Sequence, residues 1–106
     1  MFIGKVVGTV VANRRDSRLQ GLPLLLVRRV DVDLCELSST VLAVDTVGSG
    51  IGEYVLYATG SSARQTAQTN KRPVDAVIMA IIDRWDIGGE LKYHKYYGPA
   101  TSSGAS

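Results

Sequence analysis

The stretch "RPVDAVIMAIIDRWDI", Arg72 to Ile87, decides the fold class. Asp75, just after Pro73, reads as a helix start. The run Val-Ile-Met-Ala-Ile-Ile, Val77 to Ile82, reads as a buried strand, because it is apolar throughout and short. We read strand over Val74 to Ile82. The rest of the chain then becomes consistent with one architecture.

Upstream, Glu53 to Thr59 ("EYVLYAT") and Thr40 to Val47 ("TVLAVDTV") are β-branched and aromatic, and read as strands. Leu22 to Val32 ("LPLLLVRRVDV") is a further strand. Pro23 stands near its beginning, where a missing donor is tolerated. Leu24 to Val27 is apolar at every position, which implies cover on both faces. Phe2 to Ala12 is the first strand, with Phe2, Gly4, Val6, Gly8 and Val10 on one face by alternation. Two glycines on one face imply close packing or a bend, as at the corner of a small barrel.

The connections carry turn chemistry. Asn13 to Gly21 ("NRRDSRLQG") is a polar, basic loop, and Gly88-Gly89 is a turn leading into "ELKYHKYY", Glu90 to Tyr97, a last edge strand or hairpin arm. Gly60 to Thr69 has the composition for one or two helical turns, with Ser61 or Ser62 as the cap. The final "GPATSSGAS", residues 98–106, is small and polar and is expected to be disordered. Five main strands, short and separated by turns, predict an all-β fold. The expected form is a small five-stranded OB-like β-barrel with one short helix, occupying residues 1–97 as a single domain.

Composition narrows the function classes. The chain has 106 residues, 45% hydrophobic and 21% charged, enough for one modest core. Its net charge of +2 is too balanced to argue for a nucleic-acid surface. One cysteine, Cys35, permits no intrachain disulfide and agrees with a reducing compartment. No apolar run approaches a membrane span of about 20 residues, and the N-terminus lacks the marks of a signal peptide. The expected location is the cytoplasm.

Five candidate sites arise. "GSGIGE", Gly48 to Glu53, spaces its glycines G-x-G-x-G and leads into a strand. A dinucleotide fingerprint must open a helix, so the plainer reading is a tight connection needing positive φ. In "GSSAR", Ser61, Ser62 and Arg64 present either an anion site at a helix N-terminus or a cap with Arg64 paired to Asp45 or Asp75. For catalysis, the single histidine, His94, and Cys35 lack any supporting signature. The same scarcity argues against a metal site, and Asp31 and Asp33 read as an exposed strand end. "KYHKYY" interleaves basic and aromatic residues, as single-strand nucleic-acid binders on OB-like barrels do. Finally, Tyr54, Tyr57, Trp85, Tyr93, Tyr96 and Tyr97 are the side chains that anchor interfaces, although some must be core.

Taken in order, "GKVVGTVV", "LLLV", "AVDTVGSGIGEYVL", "GSSAR", "RPVDAVIMAIID" and "YHK" resemble the vertex proteins of bacterial microcompartment shells, the EutN/CcmL family. Each piece is weak alone, but the ordered set is specific and spans nearly all of Met1 to Lys95. The resemblance implies cyclic pentamers at the fivefold corners of a polyhedral shell, beside hexameric shell proteins of the same microcompartment. It implies no catalysis and no cofactor. It places Gly48, Ser49 and Gly50 toward the fivefold axis, around a narrow opening, and Ser61, Ser62 and Arg64 near the subunit contact. The sequence departs from the family in three places. Ser49 stands where an alanine is commoner, which would make the opening more polar. Thr46 stands where relatives often have asparagine. The tail after Lys95 is longer than usual. The competing readings are a single-strand nucleic-acid-binding module and an anion-binding ring.

Overall fold

The computed structural model describes residues 1–12, 21–60, 76–96, 98 and 99. The strands are β1 (Phe2–Val10), β2 (Leu24–Val30), β3 (Glu36–Asp45), β4 (Tyr54–Thr59) and β5 (Ala76–Ile81), followed by β6 (Arg84–Ile87), β7 (Glu90–His94) and β8 (Gly98–Pro99). The first five close into a barrel in the order β1-β2-β3-β5-β4, sealed by β1 pairing with β4. All of its pairings are antiparallel except β3 with β5, which run parallel through Val44↔Val77 and Asp45↔Ile78. Closure removes the sheet edges that would otherwise template aggregation. The strand reading of Val74–Ile82 is therefore borne out over Ala76–Ile81.

Alternation fills the interior. Val6, Leu25, Val27, Ala43, Val55, Tyr57, Ala76 and Ile78 form one buried cluster. Burying a Val or Ile side chain fully contributes roughly 1.5–3 kcal/mol, so this cluster dominates the stability. A second cluster, Leu24, Val44, Ala58 and Val77, lies across four paired strands. Leu24, Leu25 and Val27 are buried and Leu26 half-buried, as an uninterrupted apolar strand requires.

The structure refines the expected elements. β3 begins at Glu36, four residues before Thr40, because Glu36 pairs with Val30 across an irregular stretch of the ladder. "RWDI", which lies beyond the strand read over Val74 to Ile82, forms an element of its own. It is β6, turned back on β7 by Gly88 (φ 58°) and Gly89 (φ 87°), a conformation that glycine adopts without strain. Of the two readings of "ELKYHKYY", the hairpin arm is the one found, since β7 pairs with β6 and, on its other side, with β8. At the chain end, Gly98 and Pro99 pair with His94 and Tyr93, so the chain stays in register past residue 97. The remaining tail, residues 100–106, lies outside the described residues, as do residues 13–20. There is no α-helix among the described residues. Apart from Gly60, the helical turns expected over Gly60–Thr69 fall outside them.

The β6–β8 sheet packs on the barrel through aromatic side chains. Tyr54, Trp85 and Tyr93 are mutually in contact, with ring centroids 4.6–5.7 Å apart, and Val30 completes the buried set. Burial pushes the phenols of Tyr54, Tyr57 and Tyr93 above their ordinary value. These aromatic groups are thus core and not free interface anchors. Tyr96 alone of the expected six is exposed among the described residues, and Tyr97 lies outside them.

Candidate functional site

The loop from Thr46 to Glu53 joins β3 to β4, and two carboxylates of the same chain hold its shape. Asp45, at the end of β3, is only 5% exposed. Its Oδ1 accepts the Val47 N–H at 3.1 Å and its Oδ2 the Ser49 N–H at 2.9 Å. Glu53, at the far end, accepts the Gly50 N–H on Oε1 at 2.6 Å, and its own N–H donates to Gly50 O at 3.1 Å. The loop is then sewn to β1, with Gly52 N–H donating to Val6 O (2.8 Å) and Val6 N–H to Glu53 O (2.9 Å). Gly48 (φ 78°) and Gly52 (φ 91°) occupy the left-handed region, so the positive φ expected of this connection is present at both.

This arrangement bears on the nucleotide reading of the glycine loop. A phosphate cradle offers several free backbone N–H groups. Here the N–H groups of Val47, Ser49, Gly50 and Gly52 all donate within the chain, three of them to carboxylates. A second anion would meet Asp45 and Glu53 rather than unpaired donors. Thr46 donates its hydroxyl to Ile78 O at 2.9 Å and so ties the loop to β5.

Ser49 Oγ is occluded from solvent in the protomer and has no hydrogen-bond partner among the described residues. A buried hydroxyl without a partner is destabilising. Ser49→Ala is expected to raise the unfolding free energy by about 1 kcal/mol. A thermal midpoint below that of the wild type would show that the hydroxyl has a partner after all.

The other candidates are dispersed. Asp31 Oδ1 accepts the N–H groups of Asp33 and Cys35, both at 2.9 Å, so Asp31 organises a tight turn in which Leu34 takes φ 70°. Cys35 is exposed in that turn. His94, on β7, accepts the Tyr96 N–H on Nδ1 at 3.2 Å. Among the described residues, no group of three or more His, Cys, Asp or Glu is placed to hold a metal ion. Within "KYHKYY", Tyr96 is exposed, Tyr97 lies outside the described residues, and the others are engaged. Tyr93 is buried, Lys92 pairs with Asp33 and Glu90, and Lys95 pairs with Glu53. Ser61, Ser62 and Arg64 lie outside the described residues. Both oxygens of Asp45 accept loop N–H groups, and its suggested pairing with Arg64 falls outside the described residues. Sequence reasoning did not find Asp45 or Glu53 as loop organisers. The available signal was a carboxylate at each end of a glycine-rich connection.

A closed small barrel whose longest described inter-strand loop is tied down by its own carboxylates defines a structural β-barrel protein, built to present a shape. Residues 1–83 match the family described as "Ethanolamine utilisation protein EutN/carboxysome", and the chain belongs to that EutN/CcmL family. It is similar to the carboxysome shell vertex protein CcmL of Gloeobacter violaceus, at 41% identity over 95 residues, covering 90% of this chain and 95% of the relative. The solved structure of Gloeobacter violaceus CcmL superposes with a TM-score of 0.85, covering 91% of this chain and 99% of that one. The GrpN pentameric microcompartment shell protein from Rhodospirillum rubrum is 41% identical with a TM-score of 0.75, covering 82% of this chain and 99% of that one.

Proposed function

We infer that this chain is a structural shell protein forming pentamers that cap the vertices of a bacterial microcompartment in the cytoplasm. The observation that carries this reading is the agreement of fold and sequence with vertex proteins over nine-tenths of the chain. A flat layer of hexagonal tiles cannot close on itself, and fivefold units at the corners supply the curvature. The partners are accordingly four further copies and the hexameric shell proteins of the same microcompartment. The first test is native mass. Five 11.4 kDa chains give a particle of 57 kDa. A dominant species of that mass supports the reading. A protein that stays at 11.4 kDa when concentrated counts against it and turns attention to oligonucleotide binding.

Within the ring, Gly48, Ser49 and Gly50 face the fivefold axis. Gly50 supports this placement. Its φ is not in the left-handed region, and an added Cβ would meet nothing nearer than Glu53 Oε1, at an ordinary 3.5 Å. Nothing within the described protomer demands glycine there, whereas five copies crowding an axis would. Gly50→Trp is therefore expected to fold normally by circular dichroism and to fail to form the ring. An intact ring of wild-type stability would remove the axial placement. Ser61, Ser62 and Arg64 are assigned to the subunit contact on family resemblance. Arg64→Ala should raise the concentration at which the ring dissociates, and an unchanged midpoint would exclude that contact.

A further inference from the structure

Strands β6 to β8 lie beyond residue 83, where the family match ends. They are fastened to the barrel at several points. Trp85 Nε1 donates to Val32 O (2.9 Å), and Lys92 Nζ lies 3.4 Å from Asp33 Oδ1. One contact reaches further. Lys95 Nζ lies 3.5 Å from Glu53 Oε2, while Glu53 Oε1 accepts the Gly50 N–H at 2.6 Å. The two oxygens of one carboxylate face two different parts of the protein.

We propose that Glu53 is a positioning residue that couples the C-terminal β6–β8 sheet to the glycine loop. A free glutamate side chain samples several rotamers, and holding one oxygen restricts the other. Lys95, at the end of β7, holds Oε2 and so presents Oε1 to Gly50. Asp45 does not do this job, because it engages Val47 and Ser49 in the first half of the loop. The second half depends on Glu53, and through it on the sheet carrying Lys95. The side chains of Lys95 and Glu53 are 37% and 28% exposed, so the link is modest in strength and screened by salt.

Residue-resolved amide hydrogen exchange by NMR on the full chain tests this. Lys95→Met is expected to speed exchange at Gly50 by about two- to five-fold, the range of a partly exposed ion pair. Val47, Ser49 and the core amide of Val27 should keep their wild-type rates. Glu53→Gln removes the charge but keeps an oxygen for the Gly50 N–H. In that background Lys95→Met should change nothing further, because the pair is already gone. Wild-type protein in about 1 M salt, where the screening length falls to about 3 Å, should approach the Lys95→Met rate at Gly50. An unchanged Gly50 rate in Lys95→Met overturns the proposal. So does a full additional effect in the Glu53→Gln background, or an equal acceleration of all amides. The measurement reads a contact within one protomer, so its failure leaves the native-mass test of the pentamer untouched.

Discussion

Gly4→Ala is expected to destabilise the barrel by about 2–3 kcal/mol, lowering the thermal midpoint by about 10–20 °C. Gly4 lies in β1 between Arg29 of β2 and Val55 of β4. A Cβ there would overlap Val27 Cγ1 and come within 2.7 Å of Tyr57 Cε1 and 3.1 Å of Tyr57 Cδ1. Neither neighbour can retreat. Val27 and Tyr57 are 0% and 2% exposed, and both belong to the main core cluster. Interiors packed to crystal density respond to an added methyl with off-rotamer side chains or backbone shifts. Gly8→Ala is the matched control, because its Cβ would meet Leu26 Cδ1 at 3.4 Å, and it should cost far less. Equal midpoints for wild type and Gly4→Ala would show that the barrel is looser at this corner than its packing implies. Stability of a domain this size totals only about 5–15 kcal/mol, so the expected loss is a substantial fraction.

The second large effect is expected at Asp45. Asp45→Ala leaves the Val47 and Ser49 N–H groups without their acceptor in a part-buried setting. Hydrogen bonds to a charged acceptor are worth about 1.5–3 kcal/mol each, and losing both should cost about 3–4 kcal/mol. Asp45→Asn should cost about half as much. Its oxygen still accepts from Val47, while its NH2 group confronts the Ser49 N–H donor. Urea unfolding midpoints rank the three proteins, and hydrogen exchange at Ser49 locates the damage. Ring assembly should weaken in the same order, since a loop freed from its carboxylate must be ordered again on association. A wild-type urea midpoint for Asp45→Ala would mean that the loop finds other acceptors, and the two-carboxylate account of its shape would fail.

Much of the fold was legible because β-structure advertises itself locally. Val6, Leu25, Val27, Val55 and Ile78 announce strands by branching and alternation, and Gly88-Gly89 announces the hairpin. The ambiguous Val74–Ile82 was settled by length and by the absence of a polar face. The glycine loop was legible as a connection and not as a binding cradle, because it leads into a strand. What stayed hidden was the role of side chains that act across the sequence. Asp45 looked like a possible salt-bridge partner, and only folding turns its carboxylate toward the N–H groups two and four residues on. Glu53 looked like the polar start of β4. Its contact with Lys95 spans the barrel and the C-terminal sheet, a separation that no local pattern encodes. Which of the tyrosines are core stayed open for the same reason. An aromatic residue reads alike as core or as interface until the element that covers it is known, and for Tyr54 and Tyr93 that element is β6, which was not anticipated.

By itself the sequence determined the strand-forming segments, the all-β class and the ordered motifs that mark the EutN/CcmL family. These follow from short-range sterics and hydrophobic periodicity, which act over a few residues. Tertiary structure alone decided which strands pair, that β3 and β5 run parallel, that Gly4 has no room for a methyl group, and that Ser49 turns its hydroxyl inward. It also decided that three loop N–H groups are spent on two carboxylates. The carboxylate contacts span only two to four residues and follow from the path of the loop. The pairings and the crowding at Gly4 depend on groups far apart in the chain, and closing the barrel is what brings them together.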